Sequence, residues 1–108
     1  GKLIAAAGAA RQVHIFAAKG LKIERKFRRE ADPIDKLSLS KDGKLLAAGL
    51  FQELSHRNPT YLVIYDFATG EVIKEITTRS SPMGLTLAPS ARKIAWSLAP
   101  SGIEIADF

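Results

Sequence analysis

Leu37-Ser38-Leu39-Ser40-Lys41-Asp42-Gly43-Lys44-Leu45-Leu46-Ala47-Ala48 is two apolar-rich runs joined by Asp-Gly. Asp-Gly between such runs is the strongest short hairpin signal: Gly accepts the positive φ of a tight turn, and Asp can bond back to the turn's own backbone. No helical period is sustained across either run. The segment therefore predicts an antiparallel hairpin with strands over residues 36–40 and 44–50.

Moving outward, both runs recur. Lys44-Leu45-Leu46-Ala47-Ala48 matches Lys2-Leu3-Ile4-Ala5-Ala6 and, more loosely, Arg92-Lys93-Ile94-Ala95-Trp96, at spacings of 42 and 48 residues. Leu37-Ser38-Leu39-Ser40 matches Leu85-Thr86-Leu87-Ala88, and a proline (Pro33, Pro82) precedes each. A third motif follows the hairpin: Val13-His14-Ile15-Phe16, Leu62-Val63-Ile64-Tyr65 and Gly102-Ile103-Glu104-Ile105, whose isoleucines stand 49 and 41 residues apart. A period of 40 to 50 residues built from short strands describes an array of equivalent sheets.

Labelling the strands of one repeat a to d gives a complete unit over residues 31–79, with a at 36–40, b at 44–50, c at 61–67 and d at 72–77. Residues 1–30 supply b, c and d of a preceding unit (3–7, 13–16 and 21–27). Residues 80–108 supply a, b and c of a following one (84–88, 93–98 and 103–108). The chain is thus expected to be all-β and antiparallel.

The stretch Leu39 to Ala47, followed by Tyr61-Leu62-Val63-Ile64-Tyr65-Asp66 and Thr69-Gly70-Glu71-Val72, resembles a blade of the WD-repeat β-propellers. The aromatic-Asp pair that closes strand c in that family is present as Tyr65-Asp66, reduced to Ala106-Asp107 in the last unit and to Phe16-Ala17 in the first. The family's Gly-His pair is missing, which implies a weakened version of its buried hydrogen-bond network. The resemblance implies a propeller fragment, one complete four-stranded blade flanked by two incomplete ones. Two and a half blades cannot close a ring of about four to eight. The remaining blades are expected from the parent protein or from another chain, and the start at Gly1, without Met, reads as a cut or processed end.

Composition narrows the function. The 108 residues are 46% hydrophobic, enough for a folded core, and include no Cys, which removes disulfides, thiol nucleophiles and cysteine metal sites together. No apolar run approaches the roughly 20 residues of a membrane helix. Of the net charge of +5, the segment from Lys19 to Arg29 alone supplies six basic residues against one acidic. Alternation there puts Leu21, Ile23 and Phe27 on one side and Lys22, Glu24, Lys26 and Arg28 on the other. That pattern is read as a charged outer strand that blocks edge-to-edge pairing, in preference to an anionic binding site.

In an antiparallel blade the b-to-c and d-to-a connections leave from one face. That face gathers the longer loops, including the insertion Phe51-Gln52-Glu53-Leu54-Ser55-His56-Arg57-Asn58-Pro59-Thr60, and is where binding residues are expected. The insertion reads either as a recognition loop or as a lengthening without function, since added loop length costs little. Arg28, Arg29, Arg57 and Arg79 would form a positive rim, and Phe51, Glu53 and His56 complete the expected partner-binding set. Strand a, which faces the channel in enzymatic propellers, offers Ser38, Ser40 and Thr86 between leucines, with Asp35 as the only carboxylate near its entrance.

No nucleophile elbow, phosphate loop, paired carboxylates or metal motif occurs, so no catalytic, cofactor or metal residue is assigned. His14 and His56 have no second ligand at metal spacing, and Trp96 is expected to pack between blades. The resemblance implies a noncatalytic scaffold holding a protein or peptide, acidic by charge, on the loop face. The alternative is a ligand-binding or hydrolytic propeller whose active residues lie in other blades. Nucleic acid is disfavoured because stacking aromatics are lacking.

Overall fold

The computed structural model describes residues 3–7, 11–30, 32–51, 61–78, 82–88, 92–98 and 102–108, and in it the Asp42-Gly43 turn closes a hairpin. Asp42 Oδ1 accepts from the Ser40 hydroxyl at 2.6 Å and from Lys44 N–H at 3.0 Å, while Leu45 N–H donates to Ser40 Oγ at 3.0 Å. Gly43 takes φ +75°. Ser40 is therefore a buried fastener of the turn rather than a channel-facing hydroxyl.

Ten strands are described: β1 (Leu3–Ala6), β2 (Gln12–Ala17), β3 (Ile23–Arg29), β4 (Ile34–Leu39), β5 (Leu45–Leu50), β6 (Tyr61–Asp66), β7 (Val72–Thr77), β8 (Gly84–Ala88), β9 (Lys93–Ser97) and β10 (Ile103–Asp107). They form a first sheet β1-β2-β3, a middle sheet β4-β5-β6-β7 and a last sheet β8-β9-β10, with every pairing antiparallel. One four-stranded blade stands between two three-stranded ones.

β5 explains why the sheets stack. All six residues of Leu45-Leu46-Ala47-Ala48-Gly49-Leu50 are buried, because alternate positions serve opposite faces. Leu46, Ala48 and Leu50 join Val13, Ile15 and Phe27 of the first sheet. Leu45 and Ala47 join Ile94, Trp96 and Leu98 of the last sheet's β9 segment. Trp96 thus packs between blades as expected. Gly49 permits close approach, since a Cβ there would stand 2.9 Å from a Leu85 methyl.

The outer strand of the first sheet departs from the expected alternation. Leu21 belongs to the turn before β3, at φ 52° and largely exposed. Arg25 shares the Ile15 side of the pair, and its Nη1 donates to the Ala68 carbonyl in the middle sheet's β6–β7 turn. Its guanidinium also lies 5.9 Å from the Phe67 ring centroid. Next to it Phe27 is buried, 4.9 Å from the Tyr65 ring centroid and seated over Gly70, whose φ is +78°. Among the described residues no helix is long and apolar enough to cross a membrane.

Candidate functional site

The antiparallel order brings one end of every sheet to the same face. Described residues there include Gln12, Arg29, Glu30, Asp32, Pro33, Phe51, Thr78, Pro82, Met83 and Leu98. Phe51 leaves β5 with its N–H bonded to the Pro33 carbonyl at 2.9 Å, which holds the start of the long connection against the entrance of β4. Its side chain is 50% exposed, and Met83, at the entrance of β8, is 59% exposed. Both are large apolar groups held in water by rigid strand ends. Met83 was not legible as a surface residue, because a methionine beside Pro82 reads equally well as filler.

The expected positive rim is placed only in part. Arg29 is exposed at the end of β3. Arg28 is exposed but paired, donating Nε to Glu30 Oε2 at 3.0 Å and Nη2 to Glu30 Oε1 at 3.2 Å, with a further bond to Glu75. The Glu30 hydrogen bonds lead in pushing the Arg28 guanidinium above its ordinary value, and Glu75 adds to them. Its charge is balanced by these two carboxylates at a position that stays open to solvent. Glu53, His56, Arg57 and Arg79 lie outside the described residues.

Two carboxylates near the β4 entrance were not anticipated, since Asp35 alone was expected there. Asp35 is exposed and pairs with Lys36 at 3.0 Å. Asp32, by contrast, is fully buried, and Glu30 is nearly so. Glu30 Oε2 accepts from the Tyr65 hydroxyl at 2.5 Å as well as from Arg28. Tyr65, Glu30, Arg28 and Glu75 thus form a continuous polar network between the first and middle sheets. It runs from a buried Tyr65–Glu30 bond out to an exposed Arg28–Glu75 pair, in a chain without the Gly-His pair.

Chemically the network is a fastener. Glu30 meets a bidentate guanidinium and a phenol, which leaves it positioned for structure rather than proton transfer. Among the described residues no group of three or more His, Asp or Glu could hold a metal ion. His14 contacts Gln12 at 3.4 Å and packs edge-on to Phe16. A shallow groove of about 250 Å³ opens elsewhere, on the free side of the last sheet, lined by Gly84, Thr86, Ala95, Ser97 and Ile103. It belongs to a sheet face and reaches the sheet end beside Met83 and Leu98.

No family model matches the chain, and no curated protein matches it. Among solved structures the chain is similar to the crystal structure of the β-propeller domain of Cps50 (Swd1) from Myceliophteria thermophila, with a TM-score of 0.80 at 22% identity over 99% of this chain. The fold is that of a β-propeller. The chain spans 32% of the length of that propeller chain. The propeller architecture expected from the repeats, a full blade between two partial ones, is the one observed.

Proposed function

We propose that this propeller segment serves a noncatalytic interaction scaffold that holds a protein or peptide partner on its loop face. The observation that carries the reading is the pairing of exposed Phe51 and Met83 with a saturated Glu30: the described part of the face offers anchors to a partner and no assembled reaction centre. Arg29, with Arg57 and Arg79 from the adjoining loops, favours an acidic partner, and Glu53 and His56 add hydrogen-bonding groups. Phe51 and Met83 favour an aliphatic residue within it.

The test is binding to an array of peptides in which Asp or Glu flanks Leu, Ile or Val, compared with neutral and basic counterparts. Acidic peptides are expected to bind, and changing Arg29, Arg57 and Arg79 to Glu is expected to weaken them by roughly tenfold or more. Phe51→Ala should weaken acidic and neutral peptides alike. Equal binding by the triple variant and the parent would discard the acidic-partner reading.

A further inference from the structure

Two large apolar side chains stand over one cleft. β5 runs toward the loop face and β8 away from it, so Phe51, two residues after Gly49, and Met83, two residues before Leu85, are displaced in the same direction. Gly49 and Leu85 meet across the two sheets, since a Cβ on Gly49 would stand 2.9 Å from Leu85 Cδ2. Two strand residues span about 6–7 Å. Phe51 and Met83 therefore rise one pleat above the same contact, at the mouth of the cleft between the middle and last sheets. Leu98, buried in the core of that cleft, follows β9 at the same end.

Both backbones are fixed where these side chains leave them. Phe51 N–H bonds to the Pro33 carbonyl and Met83 N–H to the Ser97 carbonyl, each at 2.9 Å. The side chains are nevertheless 50% and 59% exposed. They sit between two sheets of this chain, so their placement does not depend on what adjoins either outer sheet.

Met83 differs from Phe51 in its chemistry. It is the one methionine, and Cys is absent, so its thioether is the only sulfur in these 108 residues. Trp96, another oxidisable side chain, is buried. Exposed thioethers react with peroxides to give a polar sulfoxide. The sulfur lone pair takes one peroxide oxygen, the O–O bond breaks, and the proton on that oxygen leaves with the displaced hydroxide as water. Sulfur loses two electrons and the peroxide gains them. A methionine sulfoxide reductase reverses the step with a dithiol, which becomes a disulfide while the oxygen leaves as water.

We propose that Met83 is a reversible oxidation switch on the loop face: as a thioether it forms with Phe51 an apolar slot for one aliphatic side chain of the partner, and as a sulfoxide it turns that side chain away. The sulfoxide oxygen is a hydrogen-bond acceptor, and an aliphatic group laid over it would strip its water without supplying a donor. Phe51 is unchanged by the oxidant, so binding is weakened and not abolished. The oxidation itself concerns Met83 alone, whereas its effect on binding rests on the loop-face reading.

The probes are the peptide Asp-Glu-Leu-Glu-Asp and its Ile and Val counterparts, titrated onto the full chain before and after treatment with hydrogen peroxide. Peptide mapping should find one added oxygen, on Met83, and all three peptides should bind roughly tenfold more weakly to the sulfoxide. Saturating peptide should slow the oxidation, because the side chain it seats covers the sulfur. Reductase with a dithiol should restore both mass and affinity. The urea midpoint should stay where it was, since an exposed side chain holds no core together. Met83→Leu, whatever its starting affinity, should bind equally before and after treatment. The switch is overturned if the parent binds and its sulfoxide binds as well, if bound peptide gives Met83 no protection, or if Met83→Leu loses affinity to peroxide too. A lowered midpoint also overturns it, by showing structural damage. A parent that binds none of the three peptides fails at the loop-face reading, and the switch falls with it.

Discussion

Replacing Gly70 with Ala isolates the contact between the first and middle blades. Two costs combine there. Gly70 has φ +78°, and an L side chain in that region costs about 1–2 kcal/mol. An added Cβ would also stand 2.7 Å from Cδ1 and 3.0 Å from Cε1 of Phe27, whose ring is buried and held against Tyr65 and Phe67. Overpacking a site of that kind costs about 1–3 kcal/mol more. Gly43 is the internal control, because its φ is +75° and nothing lies within 4 Å of an added Cβ. Urea unfolding should therefore place Gly43→Ala about 1–2 kcal/mol below the parent and Gly70→Ala about 2–5 kcal/mol below, at unchanged m-value. In a Phe27→Leu background the extra cost of Gly70→Ala should shrink toward that of Gly43→Ala, giving a coupling on the order of 1 kcal/mol or more. Equal losses for the two alanine variants, or no coupling to Phe27, would refute the packing of Phe27 on this turn.

Tyr65→Phe should destabilise by about 1.5–3 kcal/mol, because the buried phenol donates to a charged carboxylate; unfolding in urea reads the loss, and a change under 0.5 kcal/mol would count against the network. The Asp42 carboxyl is held below its usual range, first by the Ser40 hydroxyl and then by Lys44 N–H. A carboxyl lowered in the folded state adds stability above its unfolded value of about 4, and that stability is lost as pH falls through the lower folded value. The urea midpoints of Asp42→Asn and the parent should accordingly differ at neutral pH and converge in strong acid; a constant gap would contradict this assignment. Trp96 is the chain's one tryptophan, so its fluorescence should be blue-shifted and resistant to iodide, and Trp96→Ala should cost about 3–5 kcal/mol in thermal or urea unfolding.

The strands were legible because their signals are local. Asp42-Gly43 specifies its turn, and the recurring apolar runs fix which segments are equivalent, so boundaries such as Val72–Thr77 and Gly84–Ala88 could be read directly. Leu21 was misplaced because a leucine at positive φ breaks a rule that sequence alone invokes only for Gly, Asn and Asp. Glu30 was missed for a longer-range reason: after a basic run, an acid reads as a solvated partner. Its burial depends on Tyr65, which lies 35 residues further on. Arg28 was read as free for the same reason, since Glu75 reaches it from another sheet. The partner-facing residues were legible only as a face, because loop position follows from strand order while side-chain contacts do not.

Both joints of the molecule bury apolar side chains, but the first carries charge as well. One is clasped by ion pairs and a cation over an aromatic ring at Arg28, Glu30, Arg25 and Phe67, and the other is a seam of Leu45, Ile64, Ile94 and Trp96 without such charges among the described contacts. Sulfate screens charge and strengthens apolar burial, so it should tighten both apolar cores while weakening the exposed Arg28–Glu75 pair, leaving the first joint with the smaller net gain. The blade that peels away earliest would then be chosen by the ionic medium as well as by the polypeptide.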